Sequence, residues 1–115
     1  MLTALYEHLA QVRAHRFGTQ PWPACGDVAL ALLHAVEQFD LEHDVLDEEP
    51  LLVEGYFDGV EDFYHNWVEL VIDGRRWIVD GARAQFQTVT GDARPFAVFL
   101  ADSDAGAAYL TEVED

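Results

Sequence analysis

The sequence predicts an α+β domain in which N-terminal helices pack against an antiparallel sheet. Apolar residues recur at helical spacing in the first third of the chain, and apolar runs of strand length follow. Two of these later runs are joined by a strong hairpin signal. Helices first and antiparallel strands after them are typical of the α+β class. A chain of 115 residues has room for one such domain, spanning residues 1–115.

Two helices are predicted ahead of the strands. In the first, over residues 2–15, leucine and valine recur every three or four positions. Residues 17–24 hold a glycine and two prolines, which predicts a loop. The second helix is predicted from Cys25 to Phe39, and its apolar residues cover more than a narrow stripe, as a buried helix requires. These residues are Val28, Leu30, Leu32, Leu33, Val36 and Phe39.

Four strands are predicted after an acidic connector at residues 40–50. Each is a largely apolar run bounded by turn-forming or charged residues. They span Leu51–Phe57, Tyr64–Ile72, Arg76–Asp80 and Phe96–Leu100. A short helical turn is expected near residues 107–110, in the acidic tail.

The register of the central hairpin follows from its turn. Asp73-Gly74 is a strong two-residue turn signal, and it places Ile72 opposite Arg75. Side chains alternate between the two faces of a strand. One face is therefore predicted to be the core face, and it carries Leu70, Trp77, Val68 and Val79.

The opposite face of the hairpin carries polar groups that point to chemistry. His65 and Asp80 lie on it as diagonal neighbours, about 7–8 Å apart, within reach of a hydrogen bond between long side chains. An aspartate in that position would orient the imidazole and stabilise its protonated form. Alternation alone equally allows a histidine and an aspartate that both face solvent.

Cys25 is the only cysteine, which excludes an internal disulfide and a multi-cysteine zinc site. It stands at the predicted start of a helix, where the helix dipole lowers a thiol pKa below its free value of ~8.5. A neighbouring imidazolium lowers that pKa further, whereas Asp27 acts in the opposite direction. Two interpretations stay open, a nucleophile and a small buried hydrophobic residue.

The charge of the chain restricts its partners. There are 22 acidic and 6 basic residues, for a net charge of −16. Such a charge repels phosphate backbones, so we expect no nucleic-acid partner and expect any protein partner to be cationic. No apolar run reaches the roughly 18 residues of a membrane span. The N-terminus lacks the basic region of a signal peptide, so a cytoplasmic protein with no membrane partner is expected.

Three segments together resemble a known family. Residues 65–69 (HNWVE) and 77–80 (WIVD) resemble the His-x-Trp-x-Glu strand and the aspartate-ending strand of transglutaminase-like proteins, a branch of the papain-like cysteine peptidase superfamily. The match is to small bacterial and phage members. Residues 81–86 (GARAQF) resemble the segment that follows this aspartate, and the cysteine helix matches in placement. The resemblance covers about residues 20–86 and implies a papain-like core.

The resemblance also implies a reaction. Cys25 would be the nucleophile, His65 the base and then the acid, and Asp80 the orienting carboxylate. The implied chemistry is acyl transfer on a peptide or protein amide through a thioester, ending in hydrolysis or transfer to an amine. It needs no cofactor or metal, and no pair of histidines has zinc-site spacing beside a third ligand.

Three further residues are candidates for the surroundings of the thiol. Gln20 precedes Cys25 by five positions, one fewer than the oxyanion glutamine of papain-like enzymes. Trp22 and Trp67 are candidates for the walls of a substrate channel. The backbone N–H of Cys25 is the other expected oxyanion donor.

A binding protein is the alternative to an enzyme. The same fold could have lost catalysis, or the acidic chain could be an inhibitor that covers a basic surface on a partner. A third possibility is a protease that matures a modified peptide. Thiol reactivity at neutral pH separates the enzyme from the binding module.

Overall fold

The computed structural model describes residues 2–18, 20, 24–57 and 60–111, with the backbone alone for residues 60–63. Two long helices come first and five strands follow, with short helical turns among the later ones. The helices are α1 (Leu2–Phe17), α2 (Cys25–His43) and α3 (Gln87–Thr90), and 3₁₀ turns span Arg83–Phe86 and Gly106–Ala108. The strands are β1 (Leu51–Phe57), β2 (Val60–Ile72), β3 (Arg75–Asp80), β4 (Ala97–Leu100) and β5 (Tyr109–Thr111).

The strands form one antiparallel sheet in the order β4-β3-β2-β1-β5. Both long helices precede the sheet, and α2 contacts β2 and β1. The α+β class expected from the sequence is therefore confirmed. Among the described residues, no helix combines the length and the apolar character that crossing a membrane requires.

The central hairpin has the predicted turn and register. Asp73 and Gly74 have φ values of 51° and 75°, the left-handed conformation that a two-residue hairpin turn of this kind needs. Ile72 pairs with Arg75 and Leu70 pairs with Trp77. A local turn signal was sufficient here because the turn determines the pairing of every residue beyond it.

Several element boundaries differ from the prediction, as in β2, which begins at Val60 rather than at Tyr64. The second helix continues beyond Phe39 to His43 and ends at Asp44, whose N–H donates to the Asp40 carbonyl in a left-handed cap. The Asp40 carboxylate accepts the next two backbone N–H groups, so this acidic residue ends the helix rather than belonging to a connector. In the tail, the predicted helical turn is present as a 3₁₀ turn over Gly106–Ala108, and Tyr109 then begins a fifth strand that pairs with β1.

Both faces of the sheet are covered, and the prediction of a single core face is wrong. The first hydrophobic cluster joins α1 and α2 to the face that carries Val68, Leu70 and Val79. A second cluster lies on the face of His65 and Asp80. It consists of Phe57, Trp67, Ile78, Phe86 and Tyr109. Phe86 and Tyr109 come from the segment after β3, which folds back over this face.

Helix α2 lies directly against the residue that follows β3. A β-carbon on Gly81 would stand 2.8 Å from Leu32 Cδ1 and closer still to Val28 Cγ1. Leu32 and Val28 are both fully buried on α2, so neither side chain has room to move away. The glycine therefore sets the distance between the cysteine helix and the end of β3.

Gly81→Ala is expected to reduce the free energy of unfolding by about 1–3 kcal/mol, because the added methyl overpacks the contact with α2. Urea denaturation measures this change. The double variant Gly81→Ala/Val28→Ala should lose less than the two single variants added together, because removing the valine methyls makes space. A Gly81→Ala variant as stable as the wild type would show that the contact is not tight.

Candidate active site

A buried ion pair joins β2 to the end of β3. The Nε2 of His65 lies 3.0 Å from Oδ2 of Asp80, and both side chains are 0% exposed. The predicted hydrogen bond is therefore confirmed, and the interpretation that both groups face solvent is wrong. Because an ionised carboxylate only accepts, the proton of this bond belongs to Nε2.

Two further donors complete the environment of Asp80. The backbone N–H of Ala82 donates to Oδ1 at 2.9 Å, and the Tyr109 hydroxyl donates to Oδ2 at 2.6 Å. The Arg83 guanidinium in turn donates to the Tyr109 hydroxyl oxygen at 3.2 Å. Burial and the Asp80 charge raise the pKa of Tyr109 above its ordinary range, so the tyrosine stays a donor. The carboxylate is thus buried with partners on both oxygens.

Cys25 is the first residue of α2, and this end of the helix has no side-chain cap. Ala24 occupies the cap position, and the first intrahelical bond runs from Val28 N–H to the Ala24 carbonyl at 3.1 Å. The N–H groups of residues 25–27 precede that bond and have no partner within the helix. They lie at the positive end of the helix dipole, where negative charge is stabilised.

The thiol lies at the edge of β2, just beyond the end of β3. β3 pairs with β2 only between Val68 and Ile72, so His65 and Asn66 have β1 on one side and no β3 on the other. The Cys25 thiol donates to Asn66 Oδ1 and lies close enough to His65 for the two groups to shift each other's pKa. Consecutive strand residues point to opposite faces, so a group that lies beside both must be at the strand edge.

The pKa values of Cys25 and His65 shift toward an ion pair. The neighbouring His65 imidazole lowers the pKa of the Cys25 thiol, and the backbone N–H groups of Asn66 and Gly26 lower it further against the effect of partial burial. Burial disfavours the imidazolium, but the charge and hydrogen bond of Asp80, with a contribution from Cys25, raise the pKa of His65 to about 9. Each shift favours the charged form of its group.

The other ring nitrogen of His65 is left for the thiol. Nδ1 is buried and has no completed hydrogen bond to any of the described residues. Buried polar atoms are normally paired, and the exceptions call for an explanation. In this structure the thiol proton is instead donated to Asn66 Oδ1, with a sulfur–oxygen distance of 3.5 Å. Rotation of the Cys25 S–H bond toward Nδ1 would allow the thiol proton to pass to the imidazole ring.

A buried arginine holds the two segments that meet at the site. Arg13 of α1 is 1% exposed, and its guanidinium donates to the carbonyls of Gly81, Gly18 and Gln20. Burial lowers the pKa of Arg13, and the nearby Asp80 charge opposes that shift. Arg13 therefore connects Gly18 and Gln20, which precede Cys25 in the chain, to the residue after Asp80.

The sequence predicted three residues around the thiol, which are Trp67, Gln20 and Trp22. Trp67 is 0% exposed, lies beside the His65 ring at 5.8 Å between centroids and donates its indole N–H to Glu69 at 2.9 Å. A fully buried tryptophan supports the histidine and does not wall a channel. Gln20 is exposed, and among the described residues no hydrogen bond joins its side chain to Cys25. Trp22 lies outside the described residues.

Four residues of the site were not found from the sequence: Arg13, Asn66, Arg83 and Tyr109. Arg83 and Tyr109 follow β3 and act on Asp80 only through the return of the chain over the sheet. Arg13 lies on an amphipathic helix, and nothing in the sequence distinguished it from the other charged residues of that helix. Asn66 could have been predicted, because it follows His65 directly and alternation places it on the face that α2 covers.

An apolar cleft of about 260 Å³ lies apart from this site, between α1 and the sheet. It is lined by Leu2, Tyr6 and Trp77, among others, and by none of Cys25, His65 or Asp80. No three His, Cys, Asp or Glu side chains within the described ranges are placed to hold a metal ion.

Comparisons of the chain with protein-family models, with curated proteins and with solved structures found no match.

Tyr109→Phe tests the hydrogen-bond chain behind Asp80. It removes a buried donor to the carboxylate and the acceptor of Arg83, so the free energy of unfolding should fall by about 1–3 kcal/mol. Urea denaturation measures this loss. Tyr6→Phe, an identical change at an exposed tyrosine, should alter stability by less than about 0.5 kcal/mol. Equal stability of Tyr109→Phe and Tyr6→Phe would contradict the role of this chain in holding Asp80.

Proposed function

We propose that this protein is a cysteine-dependent acyl-transfer enzyme with Cys25, His65 and Asp80 as its triad. The observation that carries the proposal is a fully buried His65–Asp80 pair, beside the Cys25 thiol, whose second ring nitrogen has no hydrogen-bond partner among the described residues. A histidine oriented on one side by a carboxylate and open on the other to a nucleophile is the arrangement that general-base catalysis needs.

The first half of the reaction would form a thioester. The Cys25 thiolate attacks the carbonyl carbon of an amide, a carbon–sulfur bond forms and the carbonyl π electrons move to the oxygen. The uncapped N–H of Cys25 donates to that oxyanion. When the oxyanion collapses, the carbon–nitrogen bond breaks and the leaving amine takes the proton from His65 Nδ1.

The second half would regenerate the enzyme. His65, now neutral at Nδ1, takes a proton from water or from an acceptor amine, and that nucleophile attacks the thioester. The carbon–sulfur bond breaks and the thiolate returns beside a protonated His65. Asp80 keeps its hydrogen bond to Nε2 through both halves, so the ring keeps its orientation and its proton at Nε2.

The arrangement of elements supports membership of the transglutaminase-like branch of papain-like enzymes. The cysteine opens a helix that packs against an antiparallel sheet, and the histidine and aspartate lie on neighbouring strands of that sheet. Residues 65–69 and 77–80 carry the sequence resemblance, and they contribute His65 and Asp80 to the site. We therefore propose a papain-like core.

The proposed substrate is a peptide or protein amide with positive charge near the reacting bond. The chain has a net charge of −16, which attracts cationic groups and repels nucleic acid. Association with such a substrate should be fast and strongly dependent on salt, because exposed charges are screened over ~10 Å at 0.1 M ionic strength.

The rate of Cys25 alkylation by iodoacetamide as a function of pH tests the triad. A thiolate stabilised by the His65 imidazolium should make the wild type react about tenfold faster at pH 6–7 than a free thiol of pKa ~8.5. His65→Gln should remove most of this advantage, because the imidazolium is the main group that stabilises the thiolate. Asp80→Asn should remove less, since the histidine remains.

Both substituted side chains are fully buried, so urea denaturation must accompany each rate to show that the variant is folded. His34→Gln is the matched control, since His34 is an exposed histidine on α2 and should leave the profile unchanged. Superimposable profiles that rise only above pH 8 for folded wild type and variants would contradict the triad. That result would favour the acidic binding module.

A further inference from the structure

The residue after the catalytic histidine lies beside the sulfur. Asn66 Oδ1 is 3.5 Å from Cys25 Sγ, and the backbone N–H of Asn66 helps to lower the pKa of the thiol. The Asn66 side chain is half-buried, on the face of β2 that α2 covers. A carboxamide is thus held beside the atom that would attack a substrate.

We propose that Asn66 is the side-chain donor that stabilises the oxyanion, an assignment that rests on the acyl-transfer function proposed above. The resting structure shows the Asn66 carbonyl oxygen toward a protonated thiol. Once the thiol ionises, that oxygen would face a thiolate, and two electron-rich atoms repel. A half-turn of the terminal amide instead presents its NH₂ group to the sulfur.

The surroundings permit this turn. The terminal torsion of an asparagine is broad, so rotation by half a turn is inexpensive. Gly26 lies opposite the amide, and a β-carbon there would be 3.5 Å from Asn66 Oδ1. That is an ordinary van der Waals distance, so the Gly26 side does not crowd the amide, and the half-turn only exchanges the positions of its oxygen and nitrogen.

The NH₂ group would then lie where negative charge develops. The substrate carbonyl oxygen is only two bonds from Sγ once the carbon–sulfur bond has formed. A donor in contact with Sγ is therefore within reach of that oxygen, on the side of Asn66. Together with the backbone N–H of Cys25, Asn66 supplies two donors to the oxyanion.

Asn66 takes the role that the sequence assigned to Gln20. The Gln20 side chain is exposed, and the Gln20 carbonyl is bound by Arg13. A donor fixed on the edge of β2 is better oriented than one on a loop, because a strand restricts where its side chains point.

Two reactions of Cys25 separate oxyanion stabilisation from activation of the thiol. Acylation by p-nitrophenyl acetate passes through an oxyanion, whereas alkylation by iodoacetamide attacks a methylene carbon and forms none. The release of p-nitrophenolate is measured after subtracting the rate of Cys25→Ala. Asn66→Ala should acylate about 10²–10³-fold more slowly than the wild type, with its alkylation rate changed by less than about threefold.

Two further variants complete the test. Asn66→Asp keeps the shape of the side chain without its N–H donors and should also lose acylation. Gln38→Ala removes an exposed amide on α2 and should leave both rates unchanged.

Acylation of Asn66→Ala within about threefold of the wild type would overturn the assignment, and so would equal losses of acylation and alkylation. A loss in Gln20→Ala with Asn66→Ala unaffected would also overturn it. Failure of the triad itself would be visible in the wild type, as the absence of both accelerated alkylation and acylation above the Cys25→Ala rate.

Discussion

The buried contact between His65 and Asp80 is the constraint around which the second face of the sheet is organised. Removing two ionisable groups from water carries a penalty of several kcal/mol per ion unless hydrogen bonds replace the lost water. Here the carboxylate accepts from the ring, from a backbone N–H and from Tyr109, all at 3.0 Å or less. The Ala82 N–H is a local donor, two residues after Asp80, whereas Tyr109 reaches the carboxylate only because the chain after β3 returns to pair with β1. The C-terminal segment and the ion pair therefore stabilise each other.

The same contact connects the fold to the proposed chemistry. Asp80 is the last residue of β3, and the end of that strand leaves the edge of β2 open beside His65. Helix α2 approaches through the space left by Gly81 and brings Cys25 to this edge. Because Asp80 holds Nε2, only Nδ1 is available to the thiol. The orientation of the ring, the position of the helix and the lowered pKa of the thiol therefore have one structural origin.

The parts of the molecule that could be predicted from the sequence depend on local signals. The Asp73-Gly74 turn determines the hairpin register, and alternation then brings His65 and Asp80 to one face. The prolines before Cys25 mark the start of the helix. Arg83 and Tyr109 could not be predicted, because they reach Asp80 only when the chain returns over a face that alternation left open to solvent. Gln20 was selected by its distance from Cys25 along the chain, which does not reveal that its side chain is exposed.

The protonation state of His65 at neutral pH shows whether the histidine forms the proposed ion pair with Cys25 and Asp80. Side-chain ¹⁵N chemical shifts of the wild type between pH 5 and pH 10 report the proton on each ring nitrogen separately. An ion pair with Cys25 and Asp80 predicts that both nitrogens carry protons at pH 7, and that Nδ1 loses its proton near pH 9. In Cys25→Ala this loss should occur at lower pH, because the thiolate no longer stabilises the imidazolium. A neutral ring at pH 7 that titrates below the ordinary histidine pKa of about 6.5 would contradict the account.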